Sequence, residues 1–282
     1  MQMVKVFGLM TGLTVLLVGF GSYFAGSQGA VLFLILAAVM NFGMYWFSDR
    51  AVLKMYKARI LGPDDAPDLY RMVDRLRQAA GLPMPTLALA PSEQPNAFAT
   101  GRNAAHAVVC VTVGIMRLLP PRELEGVIAH ELAHIKHRHM LVGTVAATMA
   151  GAVAMLASIA RWGLIFGMGG RDDRGQNPLA LLVMVIVAPL AAMIVHMAIS
   201  RQNEFQADAT AARMTGDPRG LAGALQRIEG YAAQIPMVVN PAAAQLAIIN
   251  PLRGPRVPAL SGLFRTHPPT EERVARLNEL KL

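Results

Sequence analysis

The sequence predicts a mainly α membrane protein in which four hydrophobic helices carry a discontinuous α+β domain with a small sheet. Three observations predict it. Hydrophobic residues make up 54% of the 282 and charged residues only 16%, and the mean hydropathy is +0.40, too apolar for an ordinary soluble domain. The apolar residues gather into four runs: Val6 to Ala25, Ala30 to Phe47, Leu141 to Ala160 and Pro178 to Ile199. Outside these runs, helical and alternating patterns mark a water-facing domain interrupted by the second pair of runs.

The first two runs carry no charge, and each is long enough as a helix to cross about 30 Å of hydrocarbon. Gly26-Ser27-Gln28-Gly29 separates them, so they form a tight hairpin. A cleavable signal peptide is the competing reading of the first run. Its basic region would be Lys5 alone, and a second span follows at once, which favours a retained anchor. The third run ends at Arg161 and Trp162, a suitable interface anchor. In the fourth run His196 is expected near the membrane end, where its ring meets water or a carbonyl rather than a substrate. Alanine, glycine and Pro189 in these last runs also suit buried helices of a membrane-proximal chamber. The resulting division is a transmembrane hairpin over 1–47, a first part of the domain over 48–140, a second hydrophobic hairpin over 141–199 and a second part over 200–282.

Within the domain, Asp68 to Ala80 places Leu69, Met72, Val73 and Leu76 on one helical side and is stopped by Gly81 and Pro83. Thr86 to Ala90 and Ala107 to Val113 read as short strands, the second with β-branched residues around Cys110. Between them, Asn96-Ala97-Phe98-Ala99-Thr100-Gly101 is expected as an edge strand able to accept an added peptide strand. Asp217-Pro218 opens a scaffold helix with Leu221, Leu225 and Ile228. Pro236 to Pro269 holds seven prolines and reads as a long loop, and Glu271 to Leu280 closes the chain as a helix. Cys110 is the sole cysteine, so no intramolecular disulfide can form; it reads as core filler.

Chemistry concentrates in His130-Glu131-Leu132-Ala133-His134, on a helix opened by Pro121 and given an apolar stripe by Leu124, Val127, Ile128 and Ile135. Histidines at i and i+4 lie one turn apart, about 40° round the axis, and can share one tetrahedral zinc. Glu131 is too close in sequence to become a third ligand but is placed to take a proton from an attacking water. The null alternative is a pair of core histidines bonded to backbone carbonyls. A third ligand must come from elsewhere. On a continuing helix His139 points about 140° away from His134, which predicts a solvated or headgroup-facing base. His137 lies a further turn along, in the basic collar Lys136-His137-Arg138-His139. Glu204 and Asp208, at i and i+4 on one helix face, are the stronger candidates: Glu204 as ligand, Asp208 as the carboxylate that orients a ligand histidine.

These blocks together resemble the HtpX family of membrane-bound zinc metalloproteases, relatives of the CAAX-type prenyl proteases. The resemblance rests on His130 to His134, on Ser200-Arg201 followed by Glu204-Phe205-Gln206-Ala207-Asp208, on Asn96 to Gly101, and on Thr266-His267-Pro268-Pro269 with Arg273 behind it. It implies a zincin-like protease domain with one zinc per chain held by His130, His134 and Glu204, and Glu131 as catalytic base. It places Asp208 behind a ligand, and Asn96, Ala97, Phe98 and Ala99 at the substrate cleft. The residue beside the oxyanion is expected to be His267, with Arg201 as the other candidate. The implied activity is endoproteolysis of misfolded or damaged membrane and cytoplasmic proteins in stress-linked quality control, with self-cleavage.

Charge sets the expected orientation. Of 26 Lys and Arg, only Arg161, Arg171 and Arg174 fall beside the two short connections. Lys5, Arg50, Lys54, Lys57 and Arg59 flank the first hairpin on the other side, which is therefore cytoplasmic, with both termini and the catalytic groups inside a bacterial inner membrane. The net charge of +8 suits a face beside anionic lipid, and the sequence has no nucleic-acid module. The expected partners are unfolded proteins and the bilayer; oligomeric state is not legible. Two alternatives remain open at this level: a protease for prenylated C-terminal peptides, and a non-catalytic scaffold in which zinc only staples helices.

Overall fold

The computed structural model describes residues 2–145, 201–234, 248 and 267–282. The expected third span beyond Val145, the fourth span with His196, and most of the proline-rich loop lie outside the described residues.

Helix α1 (Gln2–Met55) is two helices joined at Ala25 (φ −139°, ψ 22°) and Gly26 (φ 60°, ψ −145°). The expected four-residue connection is therefore shorter. Gly26 alone adopts the positive φ that reverses the chain, and Ser27 to Gly29 already belong to the second helix. The two helices touch where side chains are missing: a Cβ on Gly21 would lie 2.4 Å from the Gly29 carbonyl oxygen. Asn41 Nδ2 bridges them by donating to Thr14 Oγ1 at 2.9 Å. Two stretches are long and apolar enough to cross a membrane, Val4–Tyr23 and Ala25–Met55, with 25% and 11% of their most apolar windows buried. Such low burial is unlike that of core helices in a soluble domain and leaves Phe7, Val31, Leu32, Ile35, Val39 and Phe42 facing outward. Near the domain end of the hairpin, the Arg102 guanidinium lies 4.8 Å over the Trp46 ring and Arg50 lies 5.8 Å from Phe47, a pattern suited to a headgroup boundary.

The sheet has the order β1 (Arg59–Leu61), β2 (Thr86–Ala90), β4 (Val108–Thr112), β3 (Ala97–Thr100). β2 and β4 are parallel, and the outer pairs are antiparallel. β1 is too short to show alternation and was not expected. The central strands are apolar on both faces because both are covered. Leu87, Val109 and Val111 pack into the main helical core, while Ala88, Phe98, Val108 and Cys110 pack against Val52 and Tyr56 at the end of α1. The membrane helix thus caps the sheet directly.

Helix α2 (Pro67–Ala80) starts with Pro67 in its first turn and ends at Gly81, whose left-handed backbone (φ 68°) lets its N–H reach the carbonyls of Arg77 and Gln78. Thr112 ends β4 and caps α3 (Val113–Leu118) by accepting the Ile115 N–H at 3.2 Å. Helix α4 (Pro121–Lys136) runs through the middle of the domain, with Val127, Ile128, Leu132 and Ile135 fully buried. Against it lie α5 (Arg201–Thr215) and α6 (Pro218–Gln234), and α7 (Thr270–Glu279) packs on those two. Gly126 makes the α4–α6 contact close: a Cβ there would sit 2.5 Å from the Leu221 nitrogen. Arg122 with Asp217 and Arg227 with Glu123 tie the same helices at the surface.

One expectation is corrected at the end of α4. The helix does not run continuously into the third span. It stops at Lys136, His137 and Arg138 make a turn with Arg138 at φ 59°, and helix resumes over 139–145. Leu141, Val142 and Val145 then pack on Val6, Leu9, Leu13 and Met44 of the hairpin.

Candidate metal centre

Helix α4 presents His130 and His134 toward α5, which presents Glu204 and Asp208 one turn apart, as the i, i+4 spacing of both pairs requires. The two Nε2 atoms lie 3.0 Å apart, and Glu204 oxygens lie 3.7 Å from His130 Nε2 and 3.5 Å from His134 Nε2. A tetrahedral ion with ligand bonds of roughly 2.0–2.1 Å needs ligand atoms about 3.3 Å apart. The three separations bracket that value, so these residues fit one small cation.

Behind the ligand atoms, His130 Nδ1 meets Asp208 Oδ1 at 2.9 Å, so Asp208 stands where its helical spacing placed it. Asp208 is held in turn by Arg273 from α7, through Nε at 2.8 Å and Nη2 at 2.6 Å. Arg273 is 1% exposed, and its Nη1 donates to the Ile248 carbonyl at 3.0 Å. Burial would raise the Asp208 pKa, but the Arg273 charge and hydrogen bonds overcome it and hold the carboxyl down at about 2. Burial also opposes charge on Glu204, yet its contacts with His267 and His134 and the nearby Arg273 guanidinium hold its carboxyl well below the usual range.

Glu131 is 5% exposed, and its Oε2 accepts the Ala99 N–H of β3 at 2.8 Å. Burial pushes its carboxyl up to about 7 with only protein groups around it, the range suited to a group that takes and returns a proton near neutrality. His267 Nδ1 lies 3.0 Å from Glu204 Oε2. Its Nε2 is buried without a hydrogen-bond partner among the described residues.

The structure therefore gathers His130, Glu131, His134, Glu204, Asp208, His267 and Ala99. It does not bring Arg201 there: that side chain is exposed at the start of α5, and among the described residues no hydrogen bond or ion pair joins it to the site. The guanidinium at the site belongs to Arg273. Nor does it turn Phe98 toward the cleft, because strand alternation sends the ring to the opposite face, 4.5 Å from Tyr56. Asn96 braces the fold, its Oδ1 accepting the Ile248 N–H at 3.1 Å. Ala97 and Ala99 lie on the other strand face, in the main core, and Ala99 turns its N–H to Glu131 from the outer strand β3. His139 is also displaced from expectation. It is 8% exposed, and its Nδ1 lies 3.2 Å from His134 Nδ1, because the turn at Arg138 brings it back toward the site. Arg273 carried a sequence signal that spacing analysis passed over. It sits at i−4 from Leu277 on the buried stripe of α7, and a charge on such a stripe calls for a buried partner.

A helix-borne His-x-x-x-His pair, a carboxylate on the neighbouring helix and an interposed glutamate, in a domain joined to a lipid-facing hairpin, define a membrane metalloprotease. The chain belongs to peptidase family M48, whose model matches residues 63–281, and within it to the HtpX proteases. A protease HtpX homolog of Gemmatimonas aurantiaca is 56% identical over 282 residues, covering 99% of both chains. Homologs of Desulforapulum autotrophicum and Pelotomaculum thermopropionicum are 51% and 49% identical, covering 95% and 100% of this chain and 87% and 100% of their own. The crystal structure of Ste24p from S. mikatae aligns with 98% of this chain and 64% of its own length at 17% identity, with a TM-score of 0.48, a likeness too slight to define the fold.

Proposed function

We propose that this membrane metalloprotease is a zinc endopeptidase whose ion is held by His130, His134 and Glu204, with Glu131 as the base. The observation that carries the reading is the convergence of His130 Nε2 and His134 Nε2, 3.0 Å apart, on the Glu204 carboxylate, whose Oε2 lies 3.7 Å from the first and Oε1 3.5 Å from the second, beside a buried Glu131 carboxyl pushed up to about 7. Two imidazoles and one carboxylate, with no thiolate, suit zinc at a catalytic site that keeps a fourth position open. When bound, zinc supplies a Lewis acid that polarises the scissile carbonyl and acidifies water.

The chain's own residues do the rest. Glu131 takes a proton from the attacking water, holds it in its buried pocket and delivers it to the leaving amine. Asp208, fixed by Arg273, keeps the His130 hydrogen on Nδ1 and its Nε2 free. His267, with its Nδ1 against Glu204 Oε2, is the group we assign beside the oxyanion that forms on the carbonyl. Substrate lies along the outer strand β3 as an added strand, bonded through backbone groups other than the Ala99 N–H, which Glu131 holds, and this mode admits many peptide sequences. That mode supports a role in removing misfolded membrane and cytoplasmic proteins, self-cleavage included. The charge asymmetry supports four spans with both termini and the site in the cytoplasm.

Casein digestion by detergent-purified full-length chain, prepared under chelation and then supplied with zinc, tests the reading, with a farnesylated C-terminal peptide assayed beside it. Zinc-restored casein cleavage is expected. Cleavage of the lipidated peptide alone would assign the narrower prenyl-protein activity, and cleavage of neither by folded, zinc-loaded protein would leave a scaffold.

A further inference from the structure

The ligand histidines turn Nε2 toward each other and toward Glu204, so each directs Nδ1 away from the cation position. On His130 that nitrogen meets the Asp208 carboxylate. On His134 it meets Nδ1 of His139 at 3.2 Å. We propose that His139 is a positioning residue for the metal centre: its Nδ1 accepts the Nδ1–H of His134 and so leaves the His134 Nε2 lone pair free for the cation. The inference rests on the reading of His130, His134 and Glu204 as ligands.

The direction of this hydrogen bond follows from counting hydrogens. Two ring nitrogens at this distance bond only when one carries a hydrogen and the other does not. If His139 donated, His134 would accept at Nδ1, and the single hydrogen of its neutral ring would sit on Nε2, where the cation must bind. The reverse assignment keeps that atom free and puts the His139 hydrogen on its own Nε2. His130 and His134 are then oriented by different chemistry, a carboxylate for the first and an imidazole for the second.

Backbone geometry makes the contact possible, and the membrane hairpin makes it rigid. An unbroken helix would carry His139 about 140° round from His134. The positive φ of Arg138 breaks that path and returns the ring to the site. The helix over 139–145 is then fixed by its packing on Val6, Leu9, Leu13 and Met44, and by Thr144 Oγ1, which donates to the Met140 carbonyl at 2.7 Å and lies 3.1 Å from Thr100 Oγ1 of β3. His139 therefore carries the position of the bilayer-facing hairpin to a metal ligand.

The test is zinc affinity of the detergent-purified full-length chain, read by competition with a chromophoric chelator, for wild type, His139→Asn and His139→Leu. Asparagine offers an acceptor near the place of Nδ1, whereas leucine fills the volume without one. We expect His139→Leu to weaken zinc binding about 10–100-fold and His139→Asn to stay within about threefold of wild type. Thermal midpoints under chelation should be equal, and His139→Ala carries the same expectation as leucine should leucine not fold. Equal zinc affinity in wild type and His139→Leu overturns the inference while leaving the ligand reading intact, and so does an equal loss in the leucine and asparagine variants. Failure of wild type itself to bind zinc overturns the ligand reading, and this inference with it.

Discussion

Arg273 shows how much of the site depends on one buried charge. Its guanidinium meets Asp208 with both partners 5% exposed or less, so removing either strips the other of its principal counter-charge in the interior. Arg273→Met should destabilise the protein by about 3–5 kcal/mol, read from thermal or denaturant unfolding in detergent, and Asp208→Asn should act in the same direction. A pH dependence follows from the same pair. The Asp208 pKa is depressed in the folded state to about 2 from an ordinary 3.8, so its contribution is complete above pH 4 and is lost as pH falls toward 2. Unfolding of the chelated protein should show this acid limb, worth about 2 kcal/mol, and Arg273→Met should flatten it. The sequence revealed His130, Glu131, His134, Glu204 and Asp208, because helical spacing fixes which side chains share a face. It did not reveal the role of Arg273, whose partner lies 65 residues away on a different helix. Arg201 was an attractive candidate for the opposite reason: proximity in sequence to Glu204 does not place a side chain at the first turn of α5 in the cleft.

Elements were legible where one pattern dominated. The 67–80 helix, strands β2 and β4, and the C-terminal helix begin and end within about a residue or two of expectation, since caps, prolines and β-branched runs act locally. Contacts between elements were not legible. Gly126 gives no periodic signal, yet it sets the approach of α4 to α6 against backbone atoms that cannot swing away. Gly126→Ala should therefore destabilise by about 1–3 kcal/mol, measured by unfolding, whereas Gly81→Ala exchanges no contact among the described residues and costs only the strain of its positive φ. The break at Arg138 was also hidden. A positive φ at a non-glycine residue is a tertiary outcome, and it moved His139 from an expected headgroup position to the metal centre.

At the scale of the whole molecule, the sheet lies between the helices that carry the candidate site and the C-terminal end of a lipid-facing hairpin. Composition and the lengths of the apolar runs made the membrane attachment legible, while the capping of the sheet by Tyr56 and Val52 required the fold. The proposed orientation makes a direct prediction. With Cys110 replaced by Ser, a cysteine at Gln28 should react with an impermeant thiol reagent added outside the inner membrane, and one at Arg59 only after the membrane is opened. The reverse pattern would place the catalytic domain outside. The central claim is that His130, His134 and Glu204 hold a catalytic zinc served by Glu131. It is tested most directly by zinc content and casein cleavage measured together in wild type and Glu131→Gln. Equal zinc in both, with turnover lowered about 10²–10⁴-fold or more in the variant, is the predicted result. Loss of zinc from Glu131→Gln, or undiminished cleavage by it, would contradict the account.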